Sequence, residues 1–314
     1  MKKRYLVLLG VFVLALGALY SLLSAAPFQR DRSYLELSVI ARESDSAIWT
    51  SVRQGMEQAA YDLDAELRFV FPATSNDALE QRALLKREAT GGADALIVTP
   101  ADPQVLLETA AEIGKKLPLI TMESPIGSEP CITADNAAIG RALADEMLPG
   151  LQPGSRAVLL SGTPTIGAIR DRLDGAVETL RRSGIEPQLL QLPDQRDEAN
   201  TLLLSLLNDP PDLLIALEPS SLETAVRLFS TVPHPPTLCG VGSSSLIVSS
   251  LEKGEIQVIA AQNDFAAGYL AVQTAVETVR QTVPSTGKEI GFSIVRRETM
   301  YLPENQKLLF PFAR

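Results

Sequence analysis

Hydrophobic and polar positions divide this chain at two scales. Residues 5–26 form an unbroken stretch without charge, preceded by the basic Lys2, Lys3 and Arg4. Beyond Arg32, short apolar runs alternate with longer stretches whose apolar residues recur every three or four positions. The short runs predict strands over 35–40, 67–71, 95–99, 119–122 and 131–133, then over 156–160, 186–191, 213–216, 237–241 and 257–261. The amphipathic stretches predict helices over 48–62, 77–90, 104–115, 137–148, 169–183, 199–207, 222–230, 246–252 and 265–281. Gly and Pro mark the joints, as at Gly91-Gly92, Pro118, Gly150, Pro153-Gly154, Gly184 and Pro210-Pro211.

Strands that alternate with helices of this length imply βαβ units and parallel sheets. Runs such as Ala95-Leu96-Ile97-Val98 and Val158-Leu159-Leu160 are solidly apolar, as expected of strands covered on both faces. Ten strands are too many for one tidy doubly wound sheet, and they fall into two successive sets of five. The expected fold is therefore α/β, with two lobes and a cleft between them. Ligands in such sheets bind beyond the carboxyl ends of the strands, which directs attention to the loops there.

The uncharged segment adds a location. Its 22 residues would make a helix about 33 Å long, enough to cross a bilayer core. Basic residues before it stay in the cytoplasm, so the body behind it is expected to face outward. Ser24 and Ala26 satisfy the small-residue rule for signal cleavage, but Pro27 would then obstruct the protease. A cut after Ala25 would place Leu23 at the −3 position instead. Residues 1–33 thus read as an uncleaved signal anchor, with a cleaved signal peptide as the alternative.

Composition narrows the function. The net charge of −10 offers no basic stripe and argues against nucleic-acid binding. Cys131 and Cys239 are the only cysteines, too few for a disulfide scaffold, and both fall at strand positions where buried free thiols are the commoner finding. The single histidine, His234, sits in a Pro-rich turn. No Cys/His cluster with metal spacing occurs, no nucleophile elbow and no P-loop, so neither metal, cofactor nor enzyme chemistry is expected.

Several strand-end segments together resemble a known family. Residues 92–102 read Gly-Ala-Asp-Ala-Leu-Ile-Val-Thr-Pro-Ala-Asp, and 117–123 read Leu-Pro-Leu-Ile-Thr-Met-Glu. Asp135-Asn136 followed by Gly140, Arg170-Asp171-Arg172 followed by Gly175, and the stretch 262–268 complete the series in order. The chain from about 35 to 304 is similar to type I periplasmic binding proteins of the ribose/galactose type, which are related to the LacI-type regulators. The resemblance implies two Rossmann-like lobes joined by three hinge strands and closing on a small solute. It places an N-terminal lobe over 34–134 plus 264–290 and a C-terminal lobe over 135–263 plus 291–314. A regulator would need an N-terminal DNA-binding domain where the apolar segment stands.

The candidate ligand-binding residues are Arg42, Trp49, Glu123, Asn136, Arg170, Glu218 and Gln262. Trp49 can stack on the C–H face of a sugar or pack between helix and sheet. Arg42 can donate two parallel hydrogen bonds to a solute or pair with Glu43. Glu123 stands where the family carries an aspartate, Arg170 at its cleft arginine, and Gln262 at a hinge-side glutamine. Glu218 stands where Asn and Asp are usual. Asn136 belongs to the crossover. Three departures remove ribose- or galactose-defining groups: Gly242-Ser243-Ser244 replaces an aspartate, Ser124 an arginine, and the residues near Asp194-Gln195 an aromatic. The resemblance therefore implies a sugar, cyclitol or related solute, with an ABC permease or a membrane sensor kinase as partner. A degenerate binder acting through protein contacts is the alternative.

Overall fold

The computed structural model describes residues 34–43, 47–162, 165–193, 195–282 and 286–310. The expected anchor over 1–33 lies outside them; among the described residues no helix is long and apolar enough to cross a membrane. The strands are β1 (Leu35–Ile40), β2 (Ala65–Val70), β3 (Ala95–Val98), β4 (Leu119–Met122), β5 (Cys131–Thr133) and β6 (Ala157–Ser161). They continue with β7 (Gln188–Gln191), β8 (Leu213–Ala216), β9 (Thr237–Val241), β10 (Val258–Gln262), β11 (Lys288–Glu289) and β12 (Phe292–Arg296). The helices are α1 (Ala47–Asp62), α2 (Ala78–Thr90), α3 (Pro103–Gly114), α4 (Asn136–Met147) and α5 (Gly167–Arg182). After them come α6 (Arg196–Ser205), α7 (Pro219–Phe229), α8 (Ser245–Lys253), α9 (Asp264–Val279) and α10 (Pro303–Leu309).

The strands form two sheets, ordered β11-β5-β4-β3-β1-β2 and β12-β10-β9-β8-β6-β7. Every pairing is parallel except β10 with β12. The α/β class with two lobes is therefore observed. Each central strand divides its side chains between two helical layers because strand side chains alternate. Ala95 and Ile97 of β3 face one core cluster while Leu96 and Val98 face another. Ala157 and Leu159 of β6 are likewise separated from Val158 and Leu160. The edge strands β2 and β7 keep polar, exposed positions that such burial would forbid.

Three passages carry the chain between the sheets: from β5 into α4, from β10 into α9, and from β11 to β12. The first two are built alike. Asp135 caps α4 by accepting from the Ala138 amide at 2.8 Å, and Asn263 caps α9 by accepting from Ala266 at 2.9 Å. An N-cap acceptor satisfies an amide that the helix leaves orphaned, so each passage ends at a fixed residue. That places Asn136 and Asp264 at equivalent first positions of the two helices.

The strands β11 and β12 and the helix α10 go beyond the predicted elements. Their periodicity is hidden by their brevity, since β11 has only two residues and gains its identity from pairing with β5. Cys131 and Cys239 are free thiols, the first on β5 of one sheet and the second on β9 of the other.

Candidate functional site

Both sheets share the strand order 2-1-3-4-5-6, counting within each, so each has a switch point between its first and third strands. The loops at these points converge on one cleft of about 620 Å³. Arg42 follows β1, Thr99 follows β3 and Glu123 follows β4 on one side; Gly162 follows β6 and Glu218 follows β8 on the other. A cleft of that size matches a small-molecule site.

Arg42 is anchored at both ends. Its backbone amide donates to Thr99 Oγ1 at 3.1 Å, and its guanidinium pairs with Glu123 at 2.5 Å and Glu43 at 3.6 Å. Burial opposes the Arg42 charge, yet Glu123, Glu43 and Glu218 outweigh it and hold the guanidinium pKa above its ordinary value. Glu123 itself has a φ of 65°, a left-handed conformation that costs a carboxylate residue about 1 kcal/mol or more. The Thr133 hydroxyl donates to its carbonyl at 2.7 Å, and its own amide donates to Ile132 at 2.9 Å, which holds it there.

On the opposite wall, Glu218 is only 8% exposed. Its Oε1 accepts from the Gly162 amide and, at 2.8 Å, from the Ser221 hydroxyl. Trp49 is also 8% exposed, with Phe69 and Phe71 edge-on to it, each at 6.2 Å. The ring therefore both packs between helix and sheet and contributes to the cleft wall.

Six of the seven expected residues line the cleft: Arg42, Trp49, Glu123, Asn136, Glu218 and Gln262. Arg170 does not. It lies exposed on α5, and Arg172, two residues later, occupies the cleft instead. The buried stripe of α5 includes Ile169, Arg172, Ala176 and Thr179, spaced by three and four, and Arg170 falls outside it. That period was readable in the sequence and would have selected Arg172. Arg172 Nε donates to Asn136 Oδ1 at 2.8 Å and its Nη1 to the Leu217 carbonyl at 3.0 Å. Burial lowers the Arg172 pKa, against the attraction of Glu123 and Glu218. Arg170→Ala should leave solute affinity within about twofold, whereas Arg172→Lys, which loses the planar fork, should weaken it about tenfold or more by titration calorimetry.

Asp264 also lines the cleft and carried no sequence motif that marked it as a site residue. Burial first, then the nearby Glu123 carboxylate, push it up to about 7, against the pull of Arg172 and a hydrogen bond with Ser243. Ser124 has a structural task here. Helix α5 has no capping side chain of its own, and Ser124 supplies one from the other lobe by accepting from the Ala168 amide at 2.8 Å.

Fold and cleft together define a two-lobed α/β binding protein. The sequence from 37 to 281 matches the family model described as periplasmic binding protein domain, and the chain belongs to that family. Solved structures share the fold at low identity. A carbohydrate transporter solute-binding protein from Agrobacterium radiobacter, in complex with D-arabinose, superposes with a TM-score of 0.79 at 18% identity, covering 88% of this chain and 99% of that one. The Caulobacter myo-inositol binding protein bound to myo-inositol gives 0.77 at 20% identity, over 85% and 95%. A periplasmic component of an ABC-type sugar transport system from Hahella chejuensis gives 0.76 at 22%, over 83% and 99%. No curated protein sequence matches the chain.

Proposed function

We propose that this chain is an extracytoplasmic solute-binding protein that closes on a sugar, cyclitol or related polar metabolite. One observation carries the reading: a cleft of about 620 Å³ lined from both lobes by charged donors and acceptors, with Trp49 as an apolar wall. The arabinose and myo-inositol held by proteins of the same fold support this ligand class. The proposed lobes span 34–134 plus 264–290 and 135–263 plus 291–314, and the three passages between the sheets act as the hinge. Closure about such a hinge is a standard mode of ligand capture. The Ser124 cap on α5 joins the two lobes directly.

The closed form presents its solute to the permease of an ABC transporter. An uncleaved anchor over 1–33 would hold the protein beside its membrane partner, and a fixed position also suits reporting to a sensor kinase. The protein acts by binding, without catalysis, through Arg42, Trp49, Glu123, Asn136, Glu218 and Gln262, with Arg172 in place of Arg170.

Thermal unfolding against a panel of sugars and cyclitols tests the reading. A solute at a hundredfold its Kd adds about 2.7 kcal/mol of stability, a shift of several degrees for a body of this size. Stabilisation by at least one member is expected. No shift with any of them, alongside a tight complex with a receptor ectodomain, would replace solute binding with protein recognition.

A further inference from the structure

The cleft has more negative than positive charge, and its cations are already engaged. Among the described lining residues, Arg42 and Arg172 face Glu43, Glu123 and Glu218, two cations against three carboxylates, with Asp264 beside them as a fourth carboxyl group that keeps part of its proton near neutral pH. Arg42 is paired with Glu123 and Glu43, while Arg172 spends Nε and Nη1 on neutral acceptors. Glu218 engages Gly162 and Ser221 through one oxygen only, and no protein donor among the described residues reaches the other. Asn76, on the opposite wall where its backbone amide donates to the Arg42 carbonyl at 2.8 Å, has a buried Oδ1 with no hydrogen-bond partner. The walls thus offer acceptors to whatever enters.

Closing the lobes on a neutral solute would take this surplus of negative charge out of water. Burying uncompensated charge is unfavourable, and a partner cation recovers much of that loss at short range. Among the described residues no three His, Cys, Asp or Glu side chains are grouped to hold a metal ion, which favours an organic cation as the counterpart. Resting on the solute-binding reading above, we infer that the solute carries a protonated amine on its polyol frame, seated against Glu218 and the acidic groups across the cleft.

Calorimetric titration of the full-length chain distinguishes the two levels of this reading. The probes are amino-deoxy sugars and amino-deoxy cyclitols, each compared with its parent hydroxyl compound and its N-acetyl derivative. At least one amine should bind about tenfold or more tighter than its parent, and acetylation should abolish the gain. Glu218→Gln keeps the acceptor for Gly162 and Ser221 but removes the charge, and it should bring amine and parent to within about threefold of each other. Parents binding as tightly as amines throughout would overturn the amine inference and leave solute binding intact. Binding by no member would overturn both.

Discussion

Gly140→Ala should destabilise the protein by about 3 kcal/mol or more, although the same change in an unpacked helix stabilises it by up to about 1 kcal/mol. A Cβ on Gly140 would stand only 1.9 Å from the Arg172 carbonyl oxygen, and one on Gly175 would stand 2.1 Å from that of Ala137. Helices α4 and α5 therefore cross backbone to backbone, where no side chain can rotate away. The other lobe repeats the arrangement: Gly55 and Gly268 bring α1 and α9 together, with 1.9 Å from each added Cβ to the facing carbonyl. Forcing α4 and α5 apart would also move Arg172 and Asn136, so solute affinity should fall with stability. Gly150, with nothing within 4 Å of an added Cβ, provides the control, and Gly150→Ala should change stability by under about 0.5 kcal/mol. Urea unfolding midpoints would decide it, and equal midpoints for the two variants would refute the backbone crossing.

Asp264→Asn should raise the stability of the solute-free protein by about 1–3 kcal/mol at pH 8 and change little near pH 4. Asp264 is pushed up to about 7 in the folded protein, whereas an unfolded aspartate gives up its proton near its ordinary value. Between those two values the folded state binds the extra proton, so wild-type stability falls as pH rises through the window. Asparagine cannot ionise and escapes that loss. The full shift would correspond to about 4 kcal/mol, but Asp264 is only partly buried and cleft water screens part of the cost. The groups that face it are Glu123, Arg172 and Ser243. Thermal unfolding of both proteins across pH 4–8 measures the difference, and a gap independent of pH would show that Asp264 is not the titrating group. The variant's gain would also show that the cleft is kept at a cost in stability, as expected where charge is held ready for a ligand.

Much of the fold was legible because central parallel strands and their covering helices leave strong local patterns. The solid runs of β3, β6 and β8 can be buried on both faces and nowhere else. The crossover motifs were legible for a related reason: a capping Asp or Asn and a crossing Gly five residues later are each demanded by local geometry. Glu123 and Glu218 were found from their positions just past apolar strands. The motif around 170–175 points to Arg170, whereas the three-and-four spacing of the buried face of its helix points to Arg172. Asp264 leaves no local signal because its character comes from burial and from Glu123 and Arg172, distant in sequence and brought close only by the return passage into α9.

The sequence by itself determined the α/β class, the two sets of strands, the strand-end loops that hold the site and the uncharged segment ahead of them. Each of these follows from interactions between near neighbours, through periodicity, capping and turn chemistry. Only the tertiary structure decided which arginine enters the cleft, that Ser124 caps a helix of the opposite lobe, and that the carboxylates outnumber the cations around one cavity. Those properties depend on residues tens to more than a hundred positions apart, whose charges and hydrogen bonds acquire meaning only once the two sheets are folded and facing each other.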